Sequence, residues 1–272
     1  MTSRRRRVMQ VAAGGVVTWR SDQVSTEEPL EIRIGKVSLS VTMRTPGDDF
    51  DLAAGFLITE GIVAGAGEID AMRMCPDATA ETGELNVVEI SLSAAAASRT
   101  IVPRAFFMTS SCGVCGKASI EAVRTRSAWE VRDDPLRVSP EVLLSLPAAQ
   151  RSAQRQFSRT GGLHAAALFD PAGVLLCVRE DVGRHNAFDK VIGWAATQGL
   201  LPLRSHMILA SGRASFELTQ KALMAGIPLL AAVSAPSSLA VELATESGMT
   251  LIGFLRGEQM NVYAGHERIT PT

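Results

Sequence analysis

The sequence predicts an α/β protein in which a C-terminal sheet domain carries the chemistry and a smaller N-terminal α+β part supports it. Two patterns predict this. The last hundred residues repeat apolar strand, polar turn and amphipathic helix three times, an order that gives a parallel sheet with right-handed crossovers. The first hundred residues are short alternating strands interrupted by one helix. With 272 residues, 46% of them hydrophobic, there is enough material for one large or two modest domains. The expected organisation is a basic tail and first strand over residues 1–27, an α+β subdomain over 28–105 and the sheet domain over 106–272.

From the N-terminus, four consecutive arginines, Arg4 to Arg7, precede an interrupted, weakly apolar stretch over 8–17. No small-residue cleavage site follows, so the run reads as a solvated basic tail leading into a strand, not as a twin-arginine signal. Residues 30–34 and 37–41 alternate around Gly35-Lys36, a two-residue hairpin signal. Pro46-Gly47-Asp48-Asp49 turns the chain, and Asp49 or Asp51 is placed to cap a helix over 52–58 that stops near Gly61. Residues 84–92 alternate again, and 99–108 form a strand before the cysteine pair described below. The polar segment 126–160 holds a helix near 140–155.

The C-terminal pattern is clearer. Apolar strands over 163–169 and 174–178 are joined by Asp170-Pro171-Ala172-Gly173. A helix follows Asn186 with Ala187, Val191, Trp194 and Ala195 on its apolar face. A strand over 206–210 leads through Ser211-Gly212-Arg213 into a helix that runs to Ala225 and stops at Gly226. A strand over 229–233 leads through Ser234-Ala235-Pro236-Ser237 into a helix that Gly248 closes, and the series ends with a strand over 249–254.

Composition excludes several classes of function. The 27 basic and 28 acidic residues balance, so no nucleic-acid field follows. No run reaches the ~18 apolar residues of a membrane span. Four cysteines in a chain of this length are no disulfide scaffold, which points to a reducing, cytoplasmic setting.

Two of those cysteines, Cys112 and Cys115, lie in the run SSCGVCGK over 110–117. The flanking glycines and serines make a loop, and the residues after it read as a helix start. A helix N-terminus and a neighbouring lysine both favour the thiolate, the reactive form of cysteine. A structural zinc site needs four soft ligands, and Cys75 and Cys177 are isolated. A thioredoxin-like pair needs a βαβ setting around the motif. A zinc deaminase needs an upstream H-x-E, and the first histidine is His164. An inert pair of small residues is the plain structural alternative. Spacing alone leaves a redox pair and a sulfur carrier both open.

Ligands of open α/β sheets sit beyond the carboxyl ends of the strands. Those ends carry Arg184 and His185, Ser211-Gly212-Arg213, the Ser234 turn, and Arg256-Gly257. Arginines, small residues and helix N-termini suit phosphate oxygens, yet no turn matches G-x-G-x-x-G or the P-loop. Taken singly, each has an ordinary role. Arg184 and Arg213 can close helix ends at the surface, His185 can be a local hydrogen-bonder, Asp189 and Lys190 read as a helix-surface pair, and the Ser234 turn reads as cap chemistry. Their convergence on one sheet edge is the argument for a site.

The motifs SSCGVCG at 110–116, EDVGRHNAFDK at 180–190, SGRASFE at 211–217 and SAPSSLAVELA at 234–244 resemble the FdhD/NarQ family of formate dehydrogenase accessory sulfurtransferases. RTPGDDFDLAAGFLITEGI at 44–62 and GFLRGEQMNVY at 253–263 resemble it too, and the likeness runs from about residue 28 to about 266. The resemblance implies sulfur acceptance from a cysteine desulfurase and delivery to the molybdenum cofactor, bis-molybdopterin guanine dinucleotide, for apo-formate dehydrogenase. It implies that Cys112 bears the persulfide with Cys115 as its partner. It also implies that Phe254, Leu255, Arg256, Gly257, Glu258 and Gln259 form a cofactor-binding stretch, where Glu258 replaces the glycine or basic residue of many members. A three-layer α/β/α fold similar to cytidine deaminases and a homodimer are further implications. The guanine dinucleotide ends would supply phosphates for Arg184, His185, Ser211, Gly212 and Arg213. The competing readings are a thiol-disulfide oxidoreductase using the same cysteines and a chaperone that only holds the cofactor. The ligand arithmetic predicts no stoichiometric zinc in the purified protein; elemental analysis finding one tight zinc per chain would restore the structural reading of Cys112 and Cys115.

Overall fold

The computed structural model describes residues 2–75, 85–98, 106–107 and 127–270. The N-terminal half contains β1 (Ser3–Val11), β2 (Val17–Ser25), β3 (Glu28–Ile34), β4 (Val37–Arg44), α1 (Asp49–Thr59), β5 (Ile69–Cys75), β6 (Val87–Leu92), α2 (Ala94–Ala97) and β7 (Phe106–Phe107). The C-terminal half contains α3 (Pro140–Ala153), α4 (Phe157–Thr160), β8 (His164–Phe169), β9 (Leu175–Asp181), α5 (Arg184–Thr197) and β10 (Met207–Ala210). It continues with α6 (Phe216–Met224), β11 (Leu229–Ala232), α7 (Ser238–Ser247), β12 (Thr250–Arg256) and β13 (Gln259–Ala264). No helix among the described residues is long and apolar enough to cross a membrane.

The arginine run is not a tail. Arg4 to Arg7 lie inside β1, which pairs antiparallel with β2 in a separate two-stranded ribbon. Cross-strand pairing supplies what the sequence pattern lacks, since the ribbon is exposed on both faces and shows no alternation of burial. Arg7 stacks 4.8 Å above the Trp19 ring, and Arg4 pairs with Glu28 at 3.0 Å. The expected hairpin around Gly35 forms β3 and β4, within a five-stranded sheet ordered β5-β6-β3-β4-β7. The cap of α1 is Asp48, in the left-handed region at φ 54°, one residue before Asp49 and three before Asp51, the expected candidates. Asp49 and Asp51 sit instead in the first turn, where negative charge suits the helix dipole, and each is held by an arginine: Arg44 on Asp49 at 2.9 Å, Arg179 on Asp51 at 2.8 Å.

The six-stranded C-terminal sheet is ordered β13-β12-β11-β10-β8-β9. Strands β10, β11 and β12 are parallel, as the repeated strand–turn–helix units require. The sheet is nevertheless mixed. The Asp170 turn makes β8 and β9 an antiparallel hairpin, and β8 inserts between β9 and β10. The chain then crosses from β9 through α5 over β8 to reach β10, so β9 runs in the same direction as β10 to β12. The carboxyl ends of β9, β10, β11 and β12 therefore share one edge with the amino end of β8. Ser215 caps α6 and Ser237 caps α7, each through its hydroxyl.

One face of this sheet packs Ala167, Leu209, Ala231 and Ile252 under Leu143 and Leu146 of α3. The opposite face packs Ala166, Ile208 and Leu230 against α5 and α6, in a cluster that also includes Leu30, Ile32, Val88 and Ile90 of the five-stranded sheet. The two sheets thus share a single core through α1 and α5. Those helices touch backbone to backbone. A Cβ on Gly55 would fall on the carbonyl of Asp189, and one on Gly193 on the carbonyl of Asp51. Neither obstacle is a flexible side chain, so the helices must separate. Gly55→Ala is expected to destabilise the fold by about 3 kcal/mol. Denaturant titration measures it, and a midpoint equal to wild type would remove the crossing as a constraint.

Candidate functional site

The carboxyl edge of the C-terminal sheet begins at Asp181, the fully buried last residue of β9. Its carboxylate accepts hydrogen bonds from the Thr45 amide at 3.1 Å, the Gly183 amide at 2.8 Å and the Asn186 side chain at 3.0 Å. It also pairs with Lys190 at 2.8 Å, nearly two turns into α5, and Lys190 donates onward to the Thr45 carbonyl at 2.9 Å. The Thr45 hydroxyl in turn accepts from the Val182 amide at 3.1 Å. The β9–α5 turn is thereby tied to the residue that follows β4.

Asp189 and Lys190 are accordingly not a helix-surface pair. Successive helical residues point about 100° apart, so each reaches a different buried partner. Asp189 accepts from Lys221 of α6 at 2.9 Å and from Thr59 of α1 at 2.8 Å. Burial pushes the Asp189 carboxyl up, against the pull of Lys221. Burial draws the Lys221 ammonium down, but Asp189 and Glu60 outweigh it and its net shift is upward. This pair joins α1, α5 and α6 below the edge.

Above it lie the candidate ligand groups. Gly183 precedes α5 and offers no side-chain cap, so the first helical amides stay available, as at anion-binding helix ends. Arg184 is half-buried, and its Nε has no hydrogen-bond partner among the described residues. His185 is buried, with Nε2 2.8 Å from Glu217 of α6. The Ser211 hydroxyl accepts from the Ala165 amide at 2.8 Å and so closes the end of the β8–β10 ladder. Gly212 faces His164, whose Nδ1 would lie 3.5 Å from any added Cβ. Arg213 is exposed.

Neighbouring turns are stitched together along the edge. The Ser234 amide donates to the Gly212 carbonyl at 3.2 Å, and the Phe254 amide donates to the Ser234 carbonyl at 3.1 Å. Phe254 has φ 53° beside an irregularity in the β12–β13 ladder, and Gly257, at φ 61°, turns the chain between paired Arg256 and Gln259. Leu255 is fully buried in the core, so it offers the edge only its backbone. Arg256, Gly257, Glu258 and Gln259 are exposed, and the Arg256 guanidinium lies 5.7 Å from the Phe254 ring centroid. From β9 to β12 is four strand steps, about 19 Å at ~4.8 Å each. Arg184 and Arg256 therefore mark opposite ends of an extended surface.

His164 was not among the residues singled out from sequence. It stands at the amino end of β8, and only the antiparallel insertion of that strand brings it to the edge. Burial lowers its pKa, and the charges of Arg184 and His185 lower it further, so the ring is neutral at pH 7.

Cys112 and Cys115 lie outside the described residues. Of the other cysteines, Cys177 is buried and its thiol is pushed up to about 12, chiefly by desolvation, so it is no nucleophile at neutral pH. No group of histidine, cysteine and carboxylate side chains among the described residues is placed to hold a metal ion.

The architecture matches a crystal structure from Desulfotalea psychrophila, provisionally named a formate dehydrogenase accessory protein, with a TM-score of 0.78 at 23% identity over 99% of this chain and 100% of that one. The fold is thus that of a known accessory-protein structure. The FdhD/NarQ family model matches residues 25–270. Proteins named sulfur carrier protein FdhD are 56% identical over 97% of this chain and 95% of their own length in Streptomyces avermitilis, and 54% identical over 97% and 98% in Mycolicibacterium paratuberculosis. One from the archaeon Saccharolobus solfataricus is 41% identical over 92% and 91%. The chain belongs to the FdhD/NarQ family.

Because Lys190 and Asp181 are both sealed from solvent, removing one partner strands the other charge. Lys190→Met is expected to cost about 3–5 kcal/mol, and adding Asp181→Asn should recover part of that loss. Denaturant midpoints of the two single variants and the double variant test the coupling; strictly additive losses would contradict it.

Proposed function

We propose that this chain is a cytoplasmic sulfurtransferase. It takes sulfur as a persulfide on Cys112 from a cysteine desulfurase and delivers it to bis-molybdopterin guanine dinucleotide, the substrate destined for apo-formate dehydrogenase. The observation that carries this reading is near-full-length identity of up to 56% to relatives named as sulfur carriers. The site chemistry is compatible. Cys177 is chemically silent, and SSCGVCGK supplies two neighbouring thiols beside a lysine and a helix start, a setting that favours the thiolate.

In the first step the Cys112 thiolate attacks the outer sulfur of the donor persulfide. A new S–S bond forms, the donor cysteine leaves as a thiolate, and the sulfur keeps its oxidation state. Release of that sulfur as sulfide takes two electrons. Attack of the Cys115 thiolate on the Cys112 sulfur supplies them and leaves a Cys112–Cys115 disulfide, which a thiol reductant reopens. The guanine nucleotide ends of the substrate carry the negative charge that Arg184, Arg213 and Arg256 are placed to meet, and an edge about 19 Å long suits a ligand with two such ends. The molybdenum belongs to the substrate and needs no protein ligand set. We further read the functional unit as a homodimer.

Incubation with a desulfurase and cysteine, followed by mass spectrometry, should show a gain of one sulfur on Cys112. A Cys112–Cys115 disulfide alone would favour an oxidoreductase, and neither change would favour a cofactor-holding chaperone. Cys112→Ala should abolish formate dehydrogenase maturation without unfolding the chain, and Cys115→Ala should impair it less completely. Wild-type client activity in cells carrying only Cys112→Ala would overturn the proposal.

A further inference from the structure

The site at the carboxyl edge makes no use of the arginine run near the N-terminus. That run lies in the β1–β2 ribbon, which pairs with no other strand among the described residues. All but the last residue of the ribbon precede the segment matched by the family model, 25–270. The base of the ribbon is fixed. The Ser25 hydroxyl donates to the Thr160 hydroxyl oxygen at 2.8 Å, and Arg4 pairs with Glu28 at 3.0 Å. Residues 11–20, by contrast, are all exposed. An isolated two-stranded ribbon is marginally stable in water, so a surface that covers it would stabilise it.

Polarity changes along this ribbon from tip to base. Residues 8–19 carry no charge, and the turn is Ala12-Ala13-Gly14-Gly15, without one hydrogen-bonding side chain. Exposed hairpin turns ordinarily hold Asn, Asp or Ser. This one closes through its backbone, the Ala12 amide donating to the Val16 carbonyl at 2.9 Å and the Gly15 amide to the Ala12 carbonyl at 3.1 Å. Behind the turn Val11 pairs with Val17, and Met9 with Trp19. These four side chains and Val16 are each at least 50% exposed. Gln10 and Thr18, on the opposite face, are polar but uncharged. Next come exposed arginines on both strands, Arg20 on β2 and Arg5, Arg6 and Arg7 on β1. Arg7 stacks on Trp19 and Arg20 meets Asp22 at 3.4 Å, whereas Arg5 and Arg6 have no ion-pair partner among the described residues.

An uncharged tip, then a tryptophan, then a collar of arginines is the order of polarity met on leaving a bilayer, from acyl chains through the interface to the headgroup phosphates. The dimensions agree. The Val11–Val17 pair lies three residue steps beyond the Val8–Arg20 pair, about 10 Å at ~3.3 Å each. Segments that lie in the interface bury their apolar groups by about 5–10 Å. The outer N–H and C=O groups of a two-stranded ribbon stay unpaired, which confines it to the hydrated interface and excludes a span. A ribbon docked by one face on a protein would change character between its faces, and this one loses its charge on both faces at the same distance from the tip. The collar favours negatively charged headgroups.

We propose that the β1–β2 ribbon is a peripheral membrane contact, with its tip seated among the headgroups of an anionic lipid surface and Arg5, Arg6, Arg7 and Arg20 facing their phosphates. The full chain is sedimented with vesicles of equal parts phosphatidylcholine and phosphatidylglycerol, and with vesicles of phosphatidylcholine alone. Binding to the mixed vesicles should be at least about tenfold tighter and should weaken as salt is added. Trp19 emission should shift to the blue on the mixed vesicles, a shift that Trp19→Phe removes. Arg5→Gln combined with Arg6→Gln changes two exposed, unpaired side chains and should weaken vesicle binding about tenfold. Poly-L-glutamate, a chain with carboxylates but no lipid, should leave Trp19 emission unchanged. Failure of wild type to sediment with the mixed vesicles would overturn the proposal, as would undiminished binding by the folded double variant. A Trp19 shift produced equally by poly-L-glutamate would overturn it in favour of an acidic protein partner. Trp19 shielded from a soluble quencher in the protein alone, and exposed on dilution, would overturn it in favour of a second copy of this chain.

Discussion

The backbone-to-backbone crossing of α1 and α5 is the constraint on which the rest of this structure depends. Gly55 rests on the Asp189 carbonyl and Gly193 on the Asp51 carbonyl, so the helices approach more closely than any side chain allows. That proximity lets Leu30, Ile32 and Val88 from one sheet enter the same apolar cluster as Ile208 and Leu230 from the other. Moving the helices apart would open this cluster along its length, and interiors tolerate such voids poorly.

Charged pairs hold the same two helices in register. Arg179 reaches Asp51 at the start of α1, Lys221 ties Asp189 to Thr59 near its end, and Lys190 and Asp181 lock the entry to α5. Buried pairs of this kind repay little net stability, because desolvation offsets most of their attraction. They do penalise any arrangement that leaves one partner unmatched. An apolar seam alone would allow α5 to slide or rotate on α1, and these pairs select a single position.

A fixed α5 has consequences for the edge. Its first residues, Arg184 and His185, project from a turn held by four contacts to Asp181. The turns after β10, β11 and β12 are joined by backbone hydrogen bonds at Gly212, Ser234 and Phe254. Groups that meet a ligand from such a frame lose little freedom on binding, which is the physical content of preorganisation.

The sequence by itself determined most of what is local. Alternation marked β3, β4 and β6, the Ser234 turn marked the cap of α7, and Gly226 and Gly248 marked where helices stop. Neighbouring residues alone set those preferences, so no distant partner was needed to read them. The sequence also pointed to the carboxyl edge, because polar turns after consecutive strands must gather there once the strands are parallel. Tertiary structure decided what depends on distant partners. The β1 arginines have no apolar rhythm and become a strand only by pairing with β2. Asp189 and Lys190 look like a surface pair until the helix rotation sends them to Lys221 and Asp181, one from a later helix and one from the preceding strand. His164 carries no motif, and the reversed direction of β8 brings it to the edge. Pairing, helix rotation and strand direction are set by long-range burial, which a local pattern does not encode.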